Sequence, residues 1–140
     1  MPKPASYEGH TFSQARQDHA SEIAADYVEL IDELHSRMGE ARGADISKKL
    51  GVSHVTVSNT IKRLARDGYV IARPYRSIFL TEKGKELAES SRERHRLMVA
   101  LLEKIGVPTR IAEADAEGME HHVSPTTLRV IKKYLVLLQS

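Results

Sequence analysis

Residues 45–64 read DISKKLGVSHVTVSNTIKRL, and this stretch decides the fold of the first half of the chain. Gly51 suits the turn after a short helix over 44–50, because glycine adopts the left-handed conformation that ends many helices. Ser53 is a suitable N-cap for a second helix over 54–67. Three apolar residues recur at i, i+4 and i+7 and share the core-facing side of that helix: Val57, Ile61 and Leu64. The stretch therefore predicts a helix-turn-helix.

The segments on either side extend this unit. Apolar residues at helical spacing predict a helix over 20–38 ahead of it. Two short β-rich runs, 69–73 and 77–80, flank Pro74 after it and predict a hairpin. Helix, turn, helix, hairpin is the order of a winged helix-turn-helix domain.

The second half of the chain is predicted to be entirely helical. Thr81, Thr109 and the pair Ser124-Pro125 are suitable starts for helices over 82–105, over 109–121 and from 125 onward. The apolar residues here exceed what packing on one small winged helix needs, which favours dimerisation. The fold class is mainly α, in three parts: a flexible tail (1–19), a winged helix-turn-helix domain (20–83) and a helical dimerisation and metal-binding domain (84–140, with a linker helix at 84–105).

Charge is unevenly distributed along the 140 residues, although the formal net charge is only +2. Residues 42–85 contain ten basic and three acidic side chains, whereas residues 22–40 contain six acidic and one basic. A basic segment beside an acidic one is typical of a nucleic-acid surface next to a cation site. The absence of cysteine excludes disulfides, thiolate zinc sites and cysteine nucleophiles. No apolar run approaches about 20 residues, and no secretory signal is evident, so we expect a cytoplasmic protein without a membrane span.

The outward face of the predicted 54–67 helix suits the major groove of double-stranded DNA. Thr56 and Asn59 can hydrogen-bond to base edges, and Val55 can touch a thymine methyl group. The remaining candidates are better placed for the phosphate backbone or the minor groove: Ser53, Lys62 and Arg63, with Arg73, Tyr75 and Arg76 in the wing. A winged helix used only for protein contacts is the alternative, which the excess of basic residues disfavours.

Six side chains with metal-binding chemistry are spread over three predicted helices. Glu117, Glu120 and His121 stand at i, i+3 and i+4, so they leave one helical face. Asp26 and Glu29 are similarly spaced in the first helix, and His95 lies in the fourth. Each group taken alone is typical of a solvated surface or a structural histidine. Together they indicate a metal site, provided that a helical domain brings them together.

At these positions the chain resembles the diphtheria toxin repressor family, in its manganese transport regulator branch. The resemblance runs from about residue 20 to the end of the chain and includes EGMEHHVS at 117–124. It implies a pair of divalent ions per subunit, a homodimer that binds a two-fold operator, and six ligands: Asp26, Glu29, His95, Glu117, Glu120 and His121. By the same resemblance, four neighbours are surface or outer-sphere residues: Glu22, Glu33, Glu113 and His122. The longer iron-responsive relatives carry a third, SH3-like domain, which we do not expect in this chain.

The chemistry of the ligand set narrows the choice of metal. Four carboxylates and two imidazoles make an oxygen-rich shell that suits Mn²⁺ or Fe²⁺ better than copper or a structural zinc. Co²⁺ and Zn²⁺ can still substitute for Mn²⁺, because a given site generally binds these two ions more tightly than it binds Mn²⁺. We therefore expect a Mn²⁺-responsive repressor of manganese uptake genes, with an Fe²⁺-responsive regulator of the same family as the alternative.

Two readings outside that family stay open from the residues alone. One is a winged-helix regulator that does not respond to metal, in which the carboxylates are surface groups. The other is a dinuclear hydrolase, since two-metal enzymes use the same ligand types. No nucleophile motif or glycine-rich phosphate loop accompanies the ligands, so we expect no enzyme activity. In the tail, His10, Asp18 and His19 have metal-binding side chains, but a flexible arm is the preferred reading.

Overall fold

The computed structural model describes residues 12–138, except for the side chains of residues 12–15 and 18. The elements follow in the order α1 (Phe12–Met38), α2 (Gly43–Leu50), α3 (His54–Arg66), β1 (Val70–Ile71), β2 (Phe79–Leu80), α4 (Glu82–Lys104), α5 (Thr109–Met119) and α6 (Pro125–Leu137). They form two compact units, and the boundary falls inside α4, between Ala88 and Glu89. Across the described residues, no helix is both long and apolar enough to cross a lipid bilayer.

The first helix is longer than the sequence predicts. It begins at Phe12 rather than Ala20, so the prediction of a tail is wrong for residues 12–19. The added turns are polar, and without an apolar stripe they give no periodic signal, but they contain no proline or glycine that would break a helix. The part of the predicted tail over residues 1–11, including His10, lies outside the described residues, as does the side chain of Asp18.

The helix-turn-helix forms as predicted. Gly51 ends α2 with φ 68°, and its N–H donates to the carbonyl of Ser47. Ser53 caps α3 by accepting a hydrogen bond from the backbone N–H of Thr56 at 3.1 Å. One apolar core joins α1, α2, α3 and the hairpin, and its buried members include Ile31, Ile46, Val57, Leu64, Val70 and Ile78. Burial of the predicted apolar faces therefore fixes this unit.

The hairpin, or wing, is tied to the end of α1 and the following loop. The two strands pair antiparallel, with Val70 opposite Leu80. The N–H of Ile78 donates to the carbonyl of Ala41 at 2.8 Å. The His35 Nε2 atom donates to the carbonyl of Ile78 at 2.6 Å, and the His35 ring stacks on Phe79 at 4.9 Å. These contacts hold the two-residue strands, which would be marginal alone.

A close backbone approach joins the wing to the start of α4. The Thr81 hydroxyl donates to the Gly68 carbonyl at 2.6 Å and accepts the N–H of Gly84 at 3.1 Å, as the predicted cap requires. A Cβ atom at Gly84 would lie 2.1 Å from the carbonyl oxygen of Tyr69, so only glycine fits there. The α4 N-terminus is thereby fixed against the turn that precedes β1.

The second unit contains the rest of α4 with α5 and α6. Its core consists of five buried residues: Met98, Val99, Leu102, Ala112 and Ala116. Helix α5 ends at Met119, two residues earlier than predicted, so His121 lies in the turn that follows. Ser124 caps α6 as predicted by accepting from the N–H of Thr127. No residue of α6 is buried, and Val130 and Tyr134 of its apolar stripe are exposed.

Candidate metal centre and nucleic-acid interface

Two alanines on α5 bring its carboxylates to α4. Ala112 and Ala116 are fully buried in the core that α4 supplies with Met98 and Leu102. The same side of α5 carries three carboxylates at i, i+4 and i+7 spacing: Glu113, Glu117 and, just past the last residue, Glu120.

These carboxylates surround one imidazole of α4. The His95 Nδ1 atom lies 2.7 Å from Glu120 Oε2 and 3.6 Å from Glu117 Oε1. The Nε2 atom of the same ring lies 2.6 Å from Glu113 Oε2. Helix α5 therefore addresses both nitrogens of His95, with the two predicted ligands on one side and Glu113 on the other.

Three of the predicted ligands form a compact group. His95, Glu117 and Glu120 each offer one ligand atom, and these atoms all lie within 4.8 Å of one another. Small divalent cations bind oxygen at about 2.0–2.6 Å, so ligand atoms on opposite sides of one ion lie about 4–5 Å apart. The spacing and the donor types therefore fit a divalent cation. His121 is adjacent, with Nε2 3.5 Å from Glu120 Oε1.

Glu120 is the most constrained member of the group. Its side chain is only 2 % exposed, whereas that of Glu117 is 65 % exposed. A buried carboxylate needs compensating positive charge and hydrogen bonds, because removal from water strongly penalises the ionised form. His95 and His121 both contact Glu120, and a bound cation would supply the compensation more strongly. The fit of the residues to a metal rests mainly on this buried carboxylate.

The electrostatics of His95 follow from the same contacts. Burial pulls the pKa of His95 down, but hydrogen bonds to Glu113 and Glu120 and the charges of Glu120 and Glu117 outweigh burial, so that pKa is raised above its usual value. A protonated imidazole thus holds the acidic residues together without metal. Metal binding at this ring requires the neutral form, and so metal and proton compete for it.

The other two predicted ligands belong to the first unit. Asp26 is exposed and Glu29 half-buried on α1, one helical turn apart. Each has at least one interaction partner within the protein. Their participation in the metal centre stays a prediction from the sequence. His19, in the predicted tail, is on α1 and lies 4.0 Å from Glu22.

The predicted DNA-contacting residues of α3 lie on its solvent side. Val55 is 69 % exposed, and Thr56, Asn59 and Lys62 are also exposed, while Arg63 is half-buried. This is opposite the buried side formed by Val57, Ile61 and Leu64. An exposed valine at the start of a capped helix is poorly placed for a core and well placed for a partner surface.

A groove between α3 and the wing collects further positive charge. Lys62 of α3 lines it together with the predicted wing residues Arg73, Tyr75 and Arg76. Two further residues with basic side chains, which the sequence does not identify as contacts, also line it: Arg42 and His54. Tyr75 is almost completely exposed at the wing tip with φ 60°, and Arg42 donates to its carbonyl at 3.5 Å. The pairing of Arg42 with the wing depends on tertiary structure and has no local sequence signal.

Comparison with known proteins places these two units in one family. The model described as "Iron dependent repressor, N-terminal DNA binding domain" matches residues 19–78, and "Iron dependent repressor, metal binding and dimerisation domain" matches residues 81–139. The transcriptional regulator MntR of Salmonella typhimurium is 50 % identical over 117 residues, which is 84 % of this chain and 74 % of that protein. The chain belongs to the diphtheria toxin repressor family. Within it, the chain falls in the manganese transport regulator branch, as the sequence analysis expected.

Further similarities within this family concern a second relative and solved structures. MntR of Escherichia coli O157:H7 is 47 % identical over 123 residues, covering 88 % of this chain and 79 % of that protein. The manganese regulator SloR superposes with TM-score 0.68 at 31 % identity, and a manganese-dependent transcriptional repressor in complex with manganese with TM-score 0.71 at 28 %. Each match covers 80 % of this chain but only 53 % and 52 % of the solved chains, so this chain spans about half their length. The mainly helical fold with a DNA-binding helix-turn-helix is confirmed.

The raised pKa of His95 gives this family member a testable pH dependence without metal. A group whose pKa is higher in the folded than in the unfolded protein stabilises the fold below the unfolded pKa, about 6.5 for histidine. That stabilisation is lost as the pH rises through the folded pKa. We expect the melting temperature in a metal chelator to fall as the pH rises from about 6 to about 8. The His95→Gln variant should show a flatter profile; an identical profile would contradict the charged cluster.

Proposed function

We propose that this chain is a manganese-responsive DNA-binding repressor, in which a divalent cation increases affinity for operator DNA. The observation that carries this proposal is the buried Glu120 carboxylate grouped with His95 and Glu117, in a chain whose other unit exposes a basic recognition helix. The membership in the manganese regulator branch supports it. Repression of manganese uptake genes is the expected output.

We infer that the metal centre uses the six ligands that the sequence predicts. His95, Glu117, Glu120 and His121 would be joined by Asp26 and Glu29 of α1. Four carboxylates repel one another when gathered, and a bound cation supplies the positive charge that reverses this repulsion. Six such ligands are enough for two ions per subunit. Joint use of these ligands by a cation would restrict how the recognition helices are presented to DNA.

The oxygen-rich ligand set favours Mn²⁺ as the physiological metal. Fe²⁺ is the alternative within the family, since it has similar ligand preferences. Co²⁺ and Zn²⁺ should also bind in isolation, because selectivity among divalent ions depends on geometry and supply more than on raw affinity. The proposal is therefore specific about ligand type and commits to manganese as the metal that regulates DNA binding.

On the DNA side, we propose that α3 enters the major groove. Thr56, Asn59 and Val55 would contact bases, and Ser53 would bind a phosphate at the helix N-terminus. Four basic residues would bind the backbone on either side, with Tyr75 at the wing tip: Lys62, Arg73 and Arg76 of the groove, and Arg63 of α3. This division gives the exposed residues Val55, Thr56, Asn59 and Lys62 of α3 roles that a protein-contact surface would not need. Such a regulator would act in the cytoplasm and have no enzyme activity.

We propose a homodimer formed through the helical domain, roughly residues 84–140, with 20–83 as the DNA-binding domain. The exposed apolar stripe formed by Val130 and Tyr134 of α6 and by Leu138 just after it supports this dimer, since monomers rarely expose such stripes. Two subunits would place two recognition helices about 34 Å apart, one DNA turn, on a two-fold operator.

The dimer makes a prediction about α6. Replacing Tyr134 by glutamate would bury an unpaired charge and weaken the dimer by about 3–5 kcal/mol, because an uncompensated buried charge is strongly disfavoured. Sedimentation velocity at micromolar concentration should then show monomers. The Arg129→Glu control introduces the same residue on another side of α6 and should stay dimeric. A wild-type monomer under these conditions would contradict the two-fold arrangement.

One experiment tests the proposed function as a whole. Mn²⁺, Fe²⁺ or Zn²⁺ is titrated into metal-free protein in the presence of a library of genomic duplexes, and the bound duplexes are sequenced. We expect Mn²⁺ to enrich one family of inverted-repeat sequences at metal concentrations near those that fill the protein. Enrichment by Fe²⁺ alone would support the iron alternative. Equal enrichment in a chelator would indicate a winged-helix regulator that does not respond to metal.

A further inference from the structure

Glu113 contacts the metal-ligand histidine on the side away from the proposed metal. Its Oε2 atom lies 2.6 Å from His95 Nε2, while the His95 Nδ1 atom faces Glu120 at 2.7 Å and Glu117 at 3.6 Å. Resemblance to the family assigns no ligand role to Glu113. Its side chain is 54 % exposed, so burial does not account for its orientation towards His95.

A neutral imidazole carries one proton, on either of its two nitrogens. Only the nitrogen without a proton can bind a metal, and the hydrogen bond made by the other nitrogen selects the tautomer. A carboxylate is a strong acceptor and cannot donate when ionised, so without metal each nitrogen of His95 donates a proton, Nδ1 to Glu120 and Nε2 to Glu113. A cation held by Glu117 and Glu120 would take the place of the Nδ1 proton, whereas Glu113 would keep the proton on Nε2. The lone pair is then on Nδ1, the nitrogen that faces Glu117 and Glu120.

We propose that Glu113 is a positioning residue of the metal centre, which holds His95 in the tautomer and ring orientation that present Nδ1 to Mn²⁺. This inference rests on the proposed function, because it concerns the same site. Without Glu113, the ring could rotate, or place its proton on Nδ1, and both changes would have to be reversed before metal binds. Glu113 would act through His95 and make no bond to the metal.

The location of Glu113 on α5 supports this role. Glu113, Glu117 and Glu120 follow one another at i, i+4 and i+7, so one helix supplies the ligands and the group that orients the histidine. Ala112 and Ala116 are buried in the core that α5 shares with α4, and this packing positions α5 along α4. The Glu113 carboxylate is therefore held beside the ring by the same packing that holds the ligands.

Metal affinity of three variants of the full-length protein tests the assignment. Removing an outer-sphere partner of a metal-ligating histidine typically weakens metal binding by about 10–100-fold, and we expect this for Glu113→Ala with Mn²⁺. Glu113→Gln should recover most of the affinity, because its amide oxygen still accepts the Nε2 proton. Asp115→Ala, which removes a similar charge from the exposed side of α5, should bind Mn²⁺ like the wild type. Equal losses for Glu113→Ala and Glu113→Gln would overturn the proposal in favour of a direct ligand.

A spectroscopic measurement separates positioning from general stability. With ¹⁵N-labelled histidine and a spin-active isotope of Cd²⁺, a diamagnetic probe ion, metal–nitrogen coupling should appear at His95 Nδ1, with the proton on Nε2. Coupling at Nε2 would overturn the proposal. If Glu120→Gln loses Mn²⁺ binding while Glu113→Ala retains wild-type affinity, this inference fails and the proposed function stands. If Glu120→Gln and Glu113→Ala both bind Mn²⁺ with wild-type affinity, the proposed metal site itself is wrong.

Discussion

Replacing Glu120 by glutamine should abolish the stimulation of DNA binding by Mn²⁺. Glutamine keeps the volume of this buried side chain and can still hydrogen-bond with His95, which lies 2.7 Å away in the wild type. It removes the negative charge that a divalent cation requires. Couplings between two binding sites are typically about 1–3 kcal/mol, which corresponds to a change in affinity of about 5–150-fold. For the variant, we expect Mn²⁺ to raise the affinity for DNA by less than about twofold.

The measurement is fluorescence anisotropy of an operator duplex, titrated with each protein in excess Mn²⁺ and again in chelator. Asp115→Asn serves as the matched control, since it removes one carboxylate from the exposed side of α5 without touching His95. If Glu120→Gln proves unstable by thermal melting, Glu117→Gln takes its place, because Glu117 is exposed and its loss leaves no buried gap. Undiminished stimulation in both variants would contradict the assignment of the centre.

DNA affinity should fall steeply with salt. Four basic side chains per subunit are proposed to contact phosphates, Lys62, Arg63, Arg73 and Arg76, which makes about eight contacts in a dimer. A protein with about 6–10 phosphate contacts loses about 10³–10⁵ in affinity between about 50 and 200 mM salt, because it displaces condensed counterions. The dissociation constant for the operator duplex, measured across that range in constant Mn²⁺, provides the slope. A flat response would mean that the basic groove does not bind DNA.

Two substitutions divide this surface into its proposed parts. Lys62→Ala should lower the salt slope by about one per subunit and weaken all duplexes alike, because it removes a phosphate contact. Asn59→Ala should leave the slope almost unchanged and reduce discrimination between the operator and a single-base variant, by about 1–3 kcal/mol for a bidentate contact. Both residues are exposed on α3, so neither change should disturb the core. If both variants merely weaken binding uniformly, the base-contact assignment is wrong.

The sequence predicts the helix-turn-helix well because its signals are local. Gly51 adopts the left-handed conformation that a turn requires, and Ser53 accepts the hydrogen bond expected of an N-cap. The core face of α3 follows from spacing alone. Pro125 after Ser124 marks the start of α6 for the same reason, since both residues act within one helical turn.

Some features that the sequence does not predict depend on tertiary contacts, and others lie in segments without hydrophobic periodicity. The start of α1 at Phe12 lacks an apolar stripe, so periodicity misses it. The bond from His35 to the carbonyl of Ile78 joins residues 43 positions apart in the chain. The pairing of Glu113 with His95 depends on the packing of Ala112 and Ala116 of α5 into the core that they share with α4, which no spacing rule contains.

The candidate metal centre is predictable in part from local spacing and depends in part on tertiary contacts. The i, i+3 spacing places Glu117 and Glu120 in one region of α5, and this part needs only the helix. The distance from each to His95 needs the fold of the second unit. The difference in exposure between Glu117 and Glu120 also comes from the fold, and it identifies Glu120 as the carboxylate whose charge depends most on a cation.

The central claim is that one divalent site and the DNA-binding surface are coupled, and thermodynamic linkage tests it most directly. If Mn²⁺ raises the affinity for the operator duplex by a given factor, the duplex must raise the affinity for Mn²⁺ by the same factor. Calorimetric titration of Mn²⁺ into protein alone and into the protein–duplex complex measures the second factor, and anisotropy with and without Mn²⁺ measures the first. For the wild type, we predict that the two factors are equal and that each is about 5–150-fold. For Glu120→Gln, we predict that both factors are near one. A wild-type protein that binds the duplex equally well with and without Mn²⁺ would contradict the account.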